Sequence, residues 1–257
     1  MGLFSAKPIQ AEKIGVEFMV NELSAGGEER KTRVRLPKNR RRNQILDAAE
    51  EVFSDRGYEV ATIAEVAVLA GTAEGNVYRY FETKRDLLAS VIARWYEAAI
   101  AELEEKTVSF EGSGARLEFL IHFHICALRD NPGLLGLIIR EVRTHNDTYK
   151  SVIGNLNRRY TGYVSQALID GVAAGDFNPN LPISLVRDMV FGCIEHHTWR
   201  YVSQKDTSEM DVEMMTQEVI MLLRSGIERR TSLEDGAEAL KAAKAHIRLA
   251  EDILNHI

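Results

Sequence analysis

Two short helical patterns separated by only three or four residues around Gly71 constrain this chain more than any other feature. Thr62 can cap the first of them, with Glu65 placed as the reciprocal partner of a capping box and Ile63, Val66, Ala67 and Ala70 forming its apolar side. The second runs from Ala73 or Glu74 to Tyr80 or Phe81, with Val77 and Phe81 four residues apart for a core. A longer apolar pattern precedes them: from Asn43, residues Ile45, Leu46, Ala49, Val52 and Phe53 recur at helical spacing and Gly57 supplies the stop. A packing helix followed by two short helices across a tight glycine turn is the plan of a helix-turn-helix.

The rest of the chain also reads as helix. Thr83 opens a long helix towards Lys106, and further segments span 112–129, 132–144, 147–174, 183–204, 209–225 and 233–256, with Pro132 and Pro182 at first helical positions. No alternating, strand-like run competes, so the expected fold is all-α. The expected units are a basic arm at 1–39, a helix-turn-helix domain at 40–90, a helical effector-binding and dimerisation domain at 91–228, and an additional amphipathic helix at 229–257.

Charge separates these units. The net charge of −6 looks wrong for a nucleic-acid binder, but residues 1–29 carry −3, residues 30–95 carry +4 and residues 96–257 carry −7. Between Arg30 and Arg42 there are eight basic residues and no acid, the footprint expected beside a phosphate backbone or in a solvated linker. No apolar run is long enough to span a bilayer, and Met1 to Gln10 lack the apolar centre of a signal peptide, so the cytoplasm is the expected compartment. Cys126 and Cys193 lie far apart in apolar patterns and read as free, buried small hydrophobes.

A recognition helix needs base-reading groups near its N-terminal end and phosphate ligands around it. Thr72, Glu74, Asn76 and Arg79 are candidates for the first role: Arg79 suits guanine O6 and N7, and Asn76 suits adenine N6 and N7. Tyr78, Tyr80, Lys84, Thr62 and the run Arg40, Arg41 and Arg42 are candidates for the second. The alternative reading has the tyrosines roofing the small core and the cations solvated.

These residues closely resemble the N-terminal domain of the tetracycline-repressor (TetR) family: Ile45-Leu46, Ala48-Ala49, Phe53, Gly57-Tyr58, Thr62-Ile63, Val66-Ala67, Ala70-Gly71, Gly75 to Tyr78, Tyr80-Phe81, Lys84 and Leu87-Leu88. The resemblance implies a homodimer, usually a repressor, on a palindromic operator, released by a small ligand held in the C-terminal helices. It also implies DNA contact at Thr72, Asn76, Tyr78, Tyr80 and Lys84. Two departures bear on base choice: Ala73 stands where a serine often caps the recognition helix, and Asn76 replaces a frequent threonine.

For the dimer, 183–204 offers Val186, Met189, Val190, Cys193 and Ile194, and 209–225 offers Met210, Met214, Met215, Val219, Met221, Leu222 and Leu223. For the effector, a few polar groups set in apolar helices mark a site at Phe119, Phe123, His124, Leu135, Ile139, Arg140, Arg143, Tyr149, Tyr163, His196 and Trp199. The context of Ala73-Glu74-Gly75 and of Glu195 to Arg200 is similar to the branch of the family regulating fatty-acid degradation, which implies an acyl-CoA effector. No cofactor, metal or catalytic set is expected: His122 and His124, or adjacent His196 and His197, point to different sides of a helix. A metal-sensing regulator and a non-enzymatic helical adaptor are the alternative readings.

Overall fold

The computed structural model describes residues 38–144 and 150–228, with residues 241 and 244. Among them lie the helices α1 (Lys38–Arg56), α2 (Ile63–Leu69), α3 (Glu74–Tyr78), α4 (Lys84–Thr107), α5 (Ser113–Asp130), α6 (Pro132–Thr144), α7 (Lys150–Ala174), α8 (Ile183–Gln204) and α9 (Val212–Ile227). The basic stretch before Lys38, Tyr149 and, apart from residues 241 and 244, the expected helix at 233–256 lie outside the described residues.

α1 begins five residues earlier than its apolar period does. Arg40, Arg41 and Arg42, which precede that period, therefore sit on the helix itself; arginine, lysine and glutamine are good helix formers and need no apolar period to continue one. Gly57, at φ +79°, ends α1 with its N–H on the Phe53 carbonyl (3.0 Å).

The capping box at α2 is present in both directions: Thr62 Oγ1 accepts from Glu65 N–H (3.2 Å), and Glu65 Oε2 accepts from Thr62 N–H (2.8 Å). Gly71, at φ +59°, makes the turn that lets Thr72 N–H reach back to the Ala67 carbonyl (2.9 Å). α3 is shorter than its pattern. The N–H groups of Tyr80 and Phe81 both meet the Val77 carbonyl at 3.0 Å, tightening the last turn so that Phe81 swings into the core.

Thr83 caps α4 through Asp86 N–H (3.0 Å). This helix of 24 residues, about 36 Å long, is shared by both halves of the molecule. Leu87, Leu88, Val91 and Ile92 close the helix-turn-helix core, while Trp95, Tyr96, Ala99, Ile100 and Leu103 enter the larger helical body. One contiguous core results.

α5 is the axis of that body. Every residue from Phe119 to Leu128 is buried, including His122 and His124, as a helix apolar on all sides requires when others surround it. α7, α8 and α9 pack against it. Phe177 closes their far end: its ring lies on Gly171, where an added Cβ would stand 2.2 Å from the Phe177 ring, and Asn178 N–H bonds the Ile227 carbonyl (2.9 Å). Pro182 is the N-cap of α8 rather than its first helical residue.

Candidate nucleic-acid interface and effector cavity

α3 is held by Val77 and Phe81, both buried, leaving Glu74, Tyr78 and Arg79 exposed and Thr72, Asn76 and Tyr80 half-buried. Ala73, its N-cap, makes no side-chain cap bond. The Asn76 side chain is held by its neighbours instead: its Nδ2 donates to Thr72 Oγ1 (3.0 Å) while its Oδ1 accepts from Arg79 Nη1 (3.3 Å). Thr72, Asn76 and Arg79 thus form one polar row along the outer side of α3, with Tyr78 beside it about half exposed (47%).

The other expected contacts are differently disposed. Arg40 is exposed, but Arg41 Nη1 donates to the Ala70 carbonyl at the end of α2 (3.4 Å), and the Arg42 guanidinium lies 5.3 Å from the centre of the Phe81 ring. Two of the three arginines therefore brace α1 against the end of α2 and against Phe81, just beyond α3. Lys84 sits 4.5 Å over the Tyr58 ring with its Nζ on the Glu59 carbonyl (3.2 Å), fixing the α1–α2 loop to the start of α4. The Thr62 hydroxyl is engaged with Glu65, and the Thr62 backbone N–H, followed by that hydroxyl and the nearby Arg56 (2.8 Å), holds the Glu65 carboxyl below its ordinary range.

A cavity of about 410 Å³ opens among α4, α5, α6, α7 and α8. Trp95 and Tyr96 come from α4, His124 and Leu128 from α5, and Leu135, Ile138 and Ile139 from α6; α7 gives Asn157, Arg158, Tyr160 and Thr161, and α8 gives Arg187, Asp188, Phe191, Gly192 and Glu195. Its inner part is an aromatic cluster. The Tyr160 ring lies 5.6 Å from Trp95, 5.7 Å from Tyr96 and 5.9 Å from His124, and Phe191 stands edge-on to His124 at 4.8 Å.

Tyr96 OH donates to Asn157 Oδ1 (3.0 Å), and His124 Nδ1 meets Tyr160 OH (3.1 Å). Burial raises both phenols and pushes the His124 ring down to about 4, so all three are neutral near pH 7. Arg158 and Asp188 are exposed and Arg187 half-buried, marking the mouth.

Of the effector residues expected from sequence, His124, Leu135 and Ile139 line this cavity. Phe119 and Phe123 do not: Phe119 stacks on Phe110 at 4.5 Å and tilts against Phe123 at 6.0 Å in the core. Tyr163 OH bonds Glu104 (3.2 Å), and Arg140 is exposed on α6. His196 and Trp199 are exposed on α8, and the Arg143 side chain and Tyr149 lie outside the described residues. Sequence reading missed Trp95, Tyr96, Tyr160 and Phe191. The adjacent aromatics at 95 and 96 were the available signal, since two neighbours on a helix cannot both face one thin core.

α8 has two apolar arcs, where the sequence suggested one. Val186, Val190 and Ile194 are buried within the chain, as are Met210 and Met215, whereas Leu185, Met189 and Cys193 on α8 and Met214, Met221 and Leu222 on α9 are exposed. The expectation that Cys193 is buried fails for this reason; Cys126 is buried, which raises its thiol to about 11. Beside this exposed face a cleft of about 280 Å³ between α8 and α9 reaches Ile125 on α5.

Residues 45–91 match the family model described as bacterial regulatory proteins, tetR family, and residues 94–226 match that of the YsiA-like protein C-terminal region. The chain belongs to the tetR family. Its members are DNA-binding transcriptional regulators, and the all-α architecture is theirs. Among TetR relatives, the fatty acid metabolism regulator protein of Bacillus subtilis (strain 168) is 29% identical over 189 residues, covering 73% of this chain and 95% of that protein. The repressor KstR2 of Mycolicibacterium smegmatis is 26% identical over 201 residues, 73% of this chain and 90% of its own length. Of solved TetR structures, FadR from Bacillus subtilis in complex with stearoyl-CoA superposes with a TM-score of 0.64 at 28% identity, over 72% of this chain and 99% of that one. FadR from Bacillus halodurans gives 0.63 at 25% identity, over 72% and 98%. Among the described residues no group of three or more His, Cys, Asp or Glu is placed to hold a metal ion, and no helix is long and apolar enough to cross a membrane.

Proposed function

We propose that this TetR-family regulator is a homodimeric repressor that binds an inverted-repeat operator through α3 and is released by a long-chain acyl-CoA lodged between α4 and α8. The observation that carries the reading is the sharing of α4. Its first half closes the helix-turn-helix core, and Trp95 and Tyr96 in its second half form a wall of the cavity. Between those aromatics and the reading head, Arg94 is paired with Asp47 (2.6 Å) and Glu50 (2.7 Å) on α1, and Gly133 of α6 packs on Ser54. A ligand that moves the cavity wall therefore has a rigid connection to α1, and DNA release is the coupling free energy between the two sites.

Support for the effector class comes from the relative solved with stearoyl-CoA, together with an aromatic and aliphatic interior whose mouth carries Arg158 and Arg187 for phosphates. Support for the dimer comes from the exposed apolar arcs of α8 and α9, which would meet a second copy across a two-fold axis. The test is fluorescence anisotropy of the protein on its selected operator, titrated with stearoyl-CoA. Release at micromolar ligand is expected; retention of the duplex throughout contradicts the effector assignment while leaving DNA binding intact.

A further inference from the structure

Two side chains that line the cavity each bury a nitrogen with no partner among the described residues: Nε1 of Trp95 and Nε2 of His124. Both side chains are more than nine-tenths buried, and both rings contact Tyr160. Buried polar groups without partners are rare and costly, so a pair of them beside one cavity calls for an occupant that satisfies them.

The chemistry of that occupant follows from hydrogen positions. Trp95 Nε1–H only donates. For His124, the Tyr160 hydroxyl has one hydrogen and the ring nitrogen Nδ1 3.1 Å away to give it to. With the phenol donating, Nδ1 accepts and the ring hydrogen resides on Nε2; the other tautomer leaves the phenol hydrogen with no acceptor in this bond. With Tyr160 as the donor, the two cavity-lining side chains Trp95 and His124 each carry one unpartnered N–H. The Tyr96 hydroxyl does not add a third, because it already donates to Asn157. Glu195 lines the same cavity, and its charge is felt by both Tyr96 and Tyr160. An anionic acceptor is disfavoured beside a carboxylate in such a site, whereas a neutral one is not.

We infer that Trp95 and His124 are specificity residues that donate hydrogen bonds to a neutral carbonyl oxygen of the effector, so that the cavity selects carbonyl-bearing chains over plain hydrocarbon. This rests on the effector reading above only for where the carbonyl comes from: the thioester itself, or a keto group further along the acyl chain.

The experiment uses the full chain labelled with ¹⁵N. Its two tryptophans give two indole N–H signals, and Trp95→Phe assigns them. Five compounds are compared: stearoyl-CoA, its thioether analogue S-octadecyl-CoA, 3-oxostearoyl-CoA, 2-undecanone and undecane. A downfield shift of the Trp95 indole proton is expected with each ligand whose carbonyl reaches the site, and not with the thioether or the alkane. One hydrogen bond to a neutral acceptor corresponds to roughly three- to tenfold in affinity, so the wild type should prefer the carbonyl-bearing member of a pair by about that factor, and Trp95→Phe should shrink the preference.

The arms separate the sources. If the thioester carbonyl is read, stearoyl-CoA shifts the signal and the 3-oxo compound adds nothing; if a keto group is read, stearoyl-CoA behaves like the thioether. Failure of every CoA compound to bind defeats the effector reading, while the ketone and alkane still decide the present one. No ketone-specific shift and equal affinities within each pair would mean that water alone meets the two donors, and would overturn the inference.

Discussion

Replacing His124 by glutamine should remove a defined part of the acid sensitivity of folding. Burial among Tyr160, Phe191 and the cavity wall, which also carries Glu195, holds the native His124 ring at about 4 instead of 6.5. Between those two values the unfolded chain binds a proton at this residue and the folded chain does not, so folding loses stability as pH falls from 6.5 and the loss levels off below about 4. Each unit of difference is worth about 1.36 kcal/mol, which gives about 2 kcal/mol at pH 5 and roughly 3 kcal/mol at the plateau. In a chain of this size 2 kcal/mol corresponds to about 4–8 °C in Tm. The assay is thermal unfolding of wild type and His124→Gln at pH 7.5 and pH 5. Carboxylates contribute equally to both proteins, and the lost bond to Tyr160 costs the same at both pH values because that phenol stays protonated throughout. The variant should therefore start lower at pH 7.5 and fall by several degrees less on acidification. Parallel decreases in the two proteins would refute the burial of a neutral imidazole at this position.

Three further outcomes are expected. Thr62→Ala removes the hydroxyl that caps α2 and should cost about 1 kcal/mol of stability, read as a lower Tm. Met221→Glu places a charge on the exposed arc of α9 and should shift the sedimenting species from dimer towards monomer. Gly133→Ala puts a Cβ 2.8 Å from the Ser54 Cβ and should destabilise the α1–α6 contact by about 1–3 kcal/mol; a second change, Ser54→Gly, should restore part of the loss in thermal unfolding.

The helix-turn-helix was legible because its signals are local. A threonine with glutamate three residues later, glycines where the backbone turns left-handed at 57 and 71, and an apolar period in α1 each act within a few residues. The cavity was only partly legible, since its wall gathers side chains from five helices and sequence spacing reports one helix at a time. His124 was found as a polar group set in an apolar helix, and Leu135 and Ile139 as apolar wall residues; Tyr160 and Phe191 look like ordinary core residues until packing brings them together. Likewise, Val186, Met189, Val190 and Cys193 form one apolar set on paper, and only the packing of α5, α6 and α7 against α8 divides them into an inner and an outer arc. The Arg40 to Arg42 run looked like a uniform cationic patch, yet Arg41 and Arg42 are drawn onto Ala70 and Phe81 by the same helical turn that carries them.

Operator recognition requires that the polar row of α3 read DNA. The most direct measurement is the affinity of wild type and Arg79→Ala for the duplex selected by the wild-type protein and for an unrelated duplex, at one fixed salt concentration. Loss of roughly 1–3 kcal/mol on the selected duplex, with binding to the unrelated one nearly unchanged, is the expected result. Equal weakening on both, or no change on either, would contradict a recognition role for this helix.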